Sequence, residues 1–181
     1  MFYLYAIKLK NFLKIVINFR PIQIEDCKFI CEVRNECAIE YLHDSTLFTI
    51  ENVINWYKNL KVPYYIVFNE KTKIGYFRLS NYSPINKNIY IGMDLHENFR
   101  GNGFAFESYC KFIPFILNKY NLNKISLEVL STNIRAQHLY NKLGFSCEGI
   151  KRQEVFKNGK YIDSIIMSLL KEEILQSKLY L

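Results

Sequence analysis

Residues 99–107 read FRGNGFAFE, which places two of the chain's seven glycines one residue apart, directly after Arg100 and before a run with helical spacing. Bare backbone that opens a helix presents free amide N–H groups and the positive end of the helix dipole, and that combination binds phosphate. Three phosphate loops compete for the pattern. The dinucleotide fingerprint GxGxxG fails, because Phe106 stands where the third small residue belongs. The Walker A loop fails because no GK[ST] follows. What remains is Arg100-x-x-Gly103-x-Ala105, with Gly101 as a further unhindered amide.

Other residues of chemical interest lie downstream. Glu128 alternates with Ile125, Leu127 and Val129 in KISLEVL, so its carboxylate faces away from that apolar set. It is a proton acceptor, a solvated strand charge, or a partner for Lys124 or a nearby arginine. Tyr140 sits on the stripe Ala136, Leu139, Tyr140, Leu143, whose spacing taken alone reads as the core face of a helix. Asn133 reads as that helix's cap. His43, His96 and His138 share no spacing, and His96 reads as an exposed histidine or a helper at the phosphate loop. The five cysteines form no CxxC pair and are odd in number, which predicts free thiols in a reducing cytoplasm and no zinc site.

The elements that must hold these residues alternate between periods of 2 and 3.6, an α/β or α+β pattern without repeats or linkers. Residues 15–20 read as a strand closed by Pro21, and residues 25–36 as a helix. Thr49 caps a second helix that ends at Pro63. Residues 64–68, 74–80 and 88–95 form a strand meander separated by NEKTK and NYSPINK. A helix over 103–119 should be kinked or shortened by Pro114. Residues 124–130 form a strand, and residues 134–143 a helix ended by Gly144. The last two strands flank Asn158-Gly159, a hairpin turn pair.

Half of the 181 residues are apolar, and fourteen Tyr and fourteen Phe argue for one well-buried domain. The apolar patch from Phe2 to Ile7 is interrupted by Lys8, Lys10 and Lys14 before it reaches signal-peptide or membrane-spanning length. Residues 1–14 therefore read as an extension or added edge segment, with weak contact at a membrane surface as the outside alternative and no membrane partner expected. The net charge of +7 implies an anionic partner, and the scattered basic residues argue against a dedicated nucleic-acid surface.

In its R-x-x-G-x-A loop the chain resembles the GNAT superfamily of N-acetyltransferases, whose acyl-CoA-binding motif is R/Q-x-x-G-x-G/A. LEVLSTNIRAQHLYNKLGF, from Leu127 to Phe145, is similar to the family's strand, Asn-bearing turn and Tyr-bearing helix. FRPIQIEDCKFICEVRN upstream and FKNGKYIDSIIMSLL downstream extend the likeness to about residues 15–171, leaving 172–181 as a C-terminal tail. The resemblance is to the branch of RimJ/RimL-type and amino-sugar N-acetyltransferases. It implies the GNAT fold, a mixed and mostly antiparallel central sheet flanked by helices.

The resemblance also implies acetyl-CoA as co-substrate, with no metal. The coenzyme A pyrophosphate would lie on the amides of Gly101, Asn102, Gly103, Phe104, Ala105 and Phe106, with Arg100 nearby. Backbone groups of Met93, Asp94 and Leu95 would serve the pantetheine arm, and Asn133 would bind coenzyme A or order its turn. Tyr140 would be the general acid at sulfur, and Glu128 the base that takes the ammonium proton. No Ser/His/Asp or Cys/His arrangement stands out, which fits direct attack without an acyl-enzyme.

The acceptor pocket of such a fold falls between the first two helices, where Arg34, Asn35, Tyr41, His43 and Trp56 lie. Without a cluster of carboxylates, this basic aromatic set disfavours polyamines, although the C-terminal half resembles enzymes that acetylate them. It favours an anionic nucleotide-linked amino sugar. A protein N-terminus is the alternative acceptor, and a non-catalytic module that binds coenzyme A or nucleic acid is the alternative class. A homodimer is compatible with this reading, although the sequence does not fix oligomeric state.

Overall fold

The structure, a computed structural model, describes residues 15–180; the extension expected over 1–14 lies outside the described residues. Among the described residues, seven strands form one sheet in the order β1-β2-β3-β4-β5-β7-β6. They are β1 (Ile17–Pro21), β2 (Tyr65–Asn69), β3 (Thr72–Ser83), β4 (Asn88–Leu95), β5 (Lys124–Leu130), β6 (Ser146–Lys157) and β7 (Lys160–Leu170). Only β4 and β5 pair in parallel; every other neighbouring pair is antiparallel. This is the mixed, mostly antiparallel GNAT-like sheet flanked by helices.

The middle strands are apolar on both faces because both faces are covered. Ile66 and Tyr76 join α1 (Cys27–Ala38) and α2 (Ile50–Lys58) in one core, with Ile30, Val33 and Val53. Tyr65, Val67 and Phe77, one residue out of phase, join α3 (Phe104–Lys119) in the other. Phe77 stacks on Phe112 of α3 with ring centroids 3.9 Å apart. Two-residue alternation thus assigns each strand residue to one helical layer.

Pro114 does not shorten α3, which continues to Lys119. Proline costs about 3 kcal/mol in a helix interior. Phe112, Ile113, Ile116 and Leu117 on either side of it are buried, each side chain contributing about 1.5–3 kcal/mol, so packing outweighs the lost bond. Asn158 and Gly159 both have positive φ, +50° and +75°, as the tight turn between β6 and β7 requires. The C-terminal residues expected as a tail form α5 (Lys171–Gln176) and a following turn. Ile174 is buried there, and Tyr180 Oη donates to the Leu143 carbonyl at 2.6 Å.

One irregularity makes the site. The β4–β5 ladder consists of Asn88–Lys124, Ile89–Ile125 and Tyr90–Ser126 and then stops. Beyond it the two strands part, and one edge of β4 from Ile91 to Leu95 faces a cleft without a strand partner.

Candidate active site

The cleft opens into a cavity of about 560 Å³ that reaches from the phosphate-type loop to the end of α1. At one end, Gly101 and Gly103 adopt φ of +86° and +87°, a region in which side-chain-bearing residues are strained. No side chain caps the start of α3, so its first amides are free to meet an anion. Gly101, Gly103, Ala105 and Phe106 line the cavity. Asn102 is exposed, with its amide 3.4 Å from the Arg100 carbonyl, and Phe104 is buried against Phe99.

Arg100 lines the cavity, but its guanidinium is turned inward. Nε donates to the Leu95 carbonyl at 2.9 Å, Nη2 lies 3.4 Å from Glu36 Oε2, and the group covers the Tyr41 ring. It ties the loop to β4 and α1. The cation over the loop is Arg135, in the first turn of α4 (Ile134–Lys142), whose Nη2 stands 2.5 Å from where a Cβ on Gly101 would be. Asn133 caps α4, its Oδ1 accepting from the Ala136 amide at 3.1 Å. A cradle of bare backbone, an uncapped helix start and an arginine across it together fit a pyrophosphate.

Met93, Asp94 and Leu95 line the middle of the cleft. The Asp94 carboxylate is buried and faces Arg78 of β3, with Nε and Oδ2 3.1 Å apart. The Arg78 side chain is 38% exposed and lies across Gly92, where a Cβ would stand 2.7 Å from its Nη2. Tyr140 is buried at the floor of the cavity, edge-on to Tyr109 at 5.8 Å. Burial raises the pKa of its phenol, and the Arg78 charge partly offsets that rise.

At the far end, Lys151 Nζ donates to Glu128 Oε1 at 2.7 Å. Lys124, the partner considered from sequence, pairs instead with Glu148. His43 Nε2 lies 2.7 Å from Ser164 Oγ and 3.8 Å from Glu128 Oε2. The loop that carries His43 is held by Lys157, whose buried ammonium donates to the carbonyls of Ala38, Ile39 and Leu42. Of the expected acceptor residues, Tyr41 and His43 line the cavity. Arg34 is spent on the loop itself, donating to the Thr46 carbonyl at 2.6 Å and Asp44 at 2.8 Å, and Asn35 bonds Phe48 through both its amide groups.

The acetyltransferase (GNAT) domain pattern matches residues 17–146 of this chain. The chain belongs to the GNAT family. It is 28% identical over 167 residues to the N-acetyltransferase p20 of Bacillus licheniformis, covering 87% of this chain and 94% of that one. It is 26% identical over 165 residues to the spermidine N(1)-acetyltransferase of Vibrio cholerae, covering 88% and 95%. The crystal structure of spermidine N-acetyltransferase from Vibrio cholerae in complex with CoA and spermine superposes with a TM-score of 0.83 at 25% identity, covering 88% of this chain and 98% of that one. This chain is therefore an acetyltransferase of the GNAT fold.

Sequence reasoning passed over Arg78, Arg135 and Lys151. Arg135 carries a readable signal, because a cation in a helix's first turn opposes the dipole and needs another reason to be there. Arg78 is the lone charge in the run IGYFRLS. Lys151 has no such mark. Among the described residues, no helix is long and apolar enough to cross a membrane, and no group of three His, Cys, Asp or Glu is placed to hold a metal.

Proposed function

We propose that this GNAT enzyme acts in the cytoplasm and acetylates the primary amine of a small acceptor that also carries an anionic group, with a nucleotide-linked amino sugar as the class that fits best. The observation that carries this reading is the charge balance of the cleft. Glu128 is matched by Lys151, Asp94 by Arg78, and Glu36 by Arg100, so among the described residues no carboxylate of the cleft is left over for a second ammonium. Arg78, with its side chain 38% exposed, lines the cavity together with Tyr64 and Tyr90. Cations and rings of that kind suit a phosphate and a base or sugar.

In this reading the amides from Gly101 to Phe106 and Arg135 hold the pyrophosphate of acetyl-CoA, and the open edge of β4 holds its pantetheine arm. The neutral amine attacks the thioester carbonyl, and Tyr140 supplies the proton for the departing thiolate. A polyamine acceptor is the second reading, favoured by the likeness to spermidine acetyltransferases over 88% of the chain.

A thiol-release assay with acetyl-CoA separates the two. Nucleotide amino sugars, spermidine, spermine and N-terminal peptides are offered in turn, and the first class should turn over with the highest kcat/KM. Turnover of polyamines or peptides alone overturns the acceptor assignment. Thermal stabilisation by acetyl-CoA with no turnover across the panel would instead support a binding module.

A further inference from the structure

Glu128 is poorly free to act as the amine's base. One of its oxygens accepts from the Lys151 ammonium at 2.7 Å, and the other faces Ser164 Oγ at 3.5 Å. His43, by contrast, lines the same cavity as Tyr140, with its side chain 34% exposed. Its Nε2 is engaged by Ser164 at 2.7 Å, and among the described residues Nδ1 has no hydrogen-bond partner.

Either atom of the His43 Nε2–Ser164 Oγ pair can donate, and the direction of that bond sets the tautomer. In the arrangement that leaves Nδ1 basic, the Ser164 hydroxyl is directed to Glu128 Oε2, 3.5 Å away, and its oxygen accepts from His43 Nε2–H at 2.7 Å. A neutral imidazole with its proton on Nε2 has its basic lone pair on Nδ1. We propose that His43 Nδ1 is the base that takes the proton from the acceptor ammonium, with Ser164 and Glu128 orienting the ring. The assignment rests on the N-acetyltransferase reading, whichever amine is accepted.

The surroundings keep the ring neutral. Burial lowers the pKa of His43 below the ordinary 6.5; Glu128 on β5 opposes this, while Arg78 on β3 and Lys151 and Lys157 on β6 add to it. Ser164 on β7 contributes no charge. At pH 7 the imidazole is therefore able to accept a proton, and the resulting imidazolium is stabilised through Ser164 by Glu128.

The protons balance. Nδ1 takes one proton from R–NH3+, and the freed lone pair forms the C–N bond at the thioester carbonyl. As the C–S bond breaks, Tyr140 Oη protonates the thiolate and regains a proton, through water, from the new amide nitrogen. His43 returns its proton to solvent. The products are an amide, a thiol and one proton.

Two measurements on the full chain test this. A ring nitrogen NMR titration should show His43 as the Nε2–H tautomer with a pKa below 6.5. A ring protonated at pH 7, or carrying its proton on Nδ1, overturns the proposal, and this readout does not depend on turnover. In kinetics with an accepted amine, His43→Gln should lower kcat roughly 10²-fold and remove the acid limb of the kcat/KM profile, with acetyl-CoA affinity unchanged. Ser164→Ala should lower kcat, leave acceptor KM unchanged and increase the population of the Nδ1–H tautomer. A wild-type acid limb in His43→Gln sinks the base while leaving the transferase reading intact; failure of the native chain to turn over any amine sinks the transferase reading, and the NMR titration still decides His43.

Discussion

Arg78 Nη2 lies 2.7 Å from the position that a Cβ on Gly92 would take, so the guanidinium rests directly on bare backbone at the centre of the cleft. Gly92→Ala must push that flexible side chain aside while leaving the strand intact. Acceptor KM should rise at least fivefold, with acetyl-CoA affinity unchanged and a melting temperature close to that of the native chain. An unchanged acceptor KM would remove Arg78 from acceptor recognition.

Gly101 is constrained twice, by φ of +86° and by Arg135 overhead. Holding an L-residue in the left-handed region costs about 1–2 kcal/mol. Gly101→Ala should therefore weaken acetyl-CoA roughly tenfold by calorimetry. Arg135→Ala should weaken it by a similar factor at low salt and less at high salt, because the interaction is with phosphate at a partly exposed site. Equal affinity in both variants would place the pyrophosphate elsewhere.

Tyr140→Phe removes only a hydroxyl from a buried ring, so the fold and acetyl-CoA binding should survive while kcat falls at least tenfold. Burial raises the phenol's pKa above 10, and an acid stays protonated below its pKa. The kcat of the native enzyme should therefore show no alkaline limb from this group between about pH 8 and pH 10. Full turnover by the Phe variant would remove the general-acid role.

Asp26 is buried where β1, α1 and β3 meet, accepting from Arg20 at 2.6 and 3.0 Å, Lys73 at 2.7 Å and the Gln23 amide at 2.8 Å. Burial pushes its carboxyl pKa up, but these donors outweigh it, and the folded-state pKa is lowered. The stability it lends is complete above the unfolded value, about 3.9, and is lost as pH falls through the folded one. Asp26→Ala should lower stability by about 3 kcal/mol, as expected when one member of a buried pair is removed. It should also flatten the acid side of a denaturation–pH curve, and a slope equal to the native one would contradict the linkage.

Much of the fold was legible because its signals are local. β4 and β5 fall on the expected residues, Thr49 accepts from the Asn52 amide as a cap, and Gly144 has φ of +88° at the end of α4. Gly101, Gly103, Glu128 and Tyr140 line one cavity. What stayed hidden depends on partners distant in sequence. Arg100 reaches back to Glu36, Lys157 to the end of α1, and Lys151 across β7 to Glu128. Lys157 and Lys151 are ordinary surface-type residues in the chain and acquire a role only from the fold, while Arg100, expected beside the phosphate, is turned inward. Arg34 and Asn35 show the reverse, since their chemistry suited a ligand but the loop beside them uses it.

The short β4–β5 ladder leaves the sheet with a seam. β1 to β4 form one continuous block and β5 to β7 another, joined through the sheet by three residue pairs. Cooperative units of folding tend to divide where such pairing is sparse. The free protein should therefore open first along this line, and amide exchange from Ile91 to Leu95 should be faster than in the rest of β4. A donor threaded between the blocks spans both, and its binding energy adds to the work of separating them. Acetyl-CoA is then a strut of the native state as well as a reactant, and each turnover briefly returns the two blocks to their weaker union.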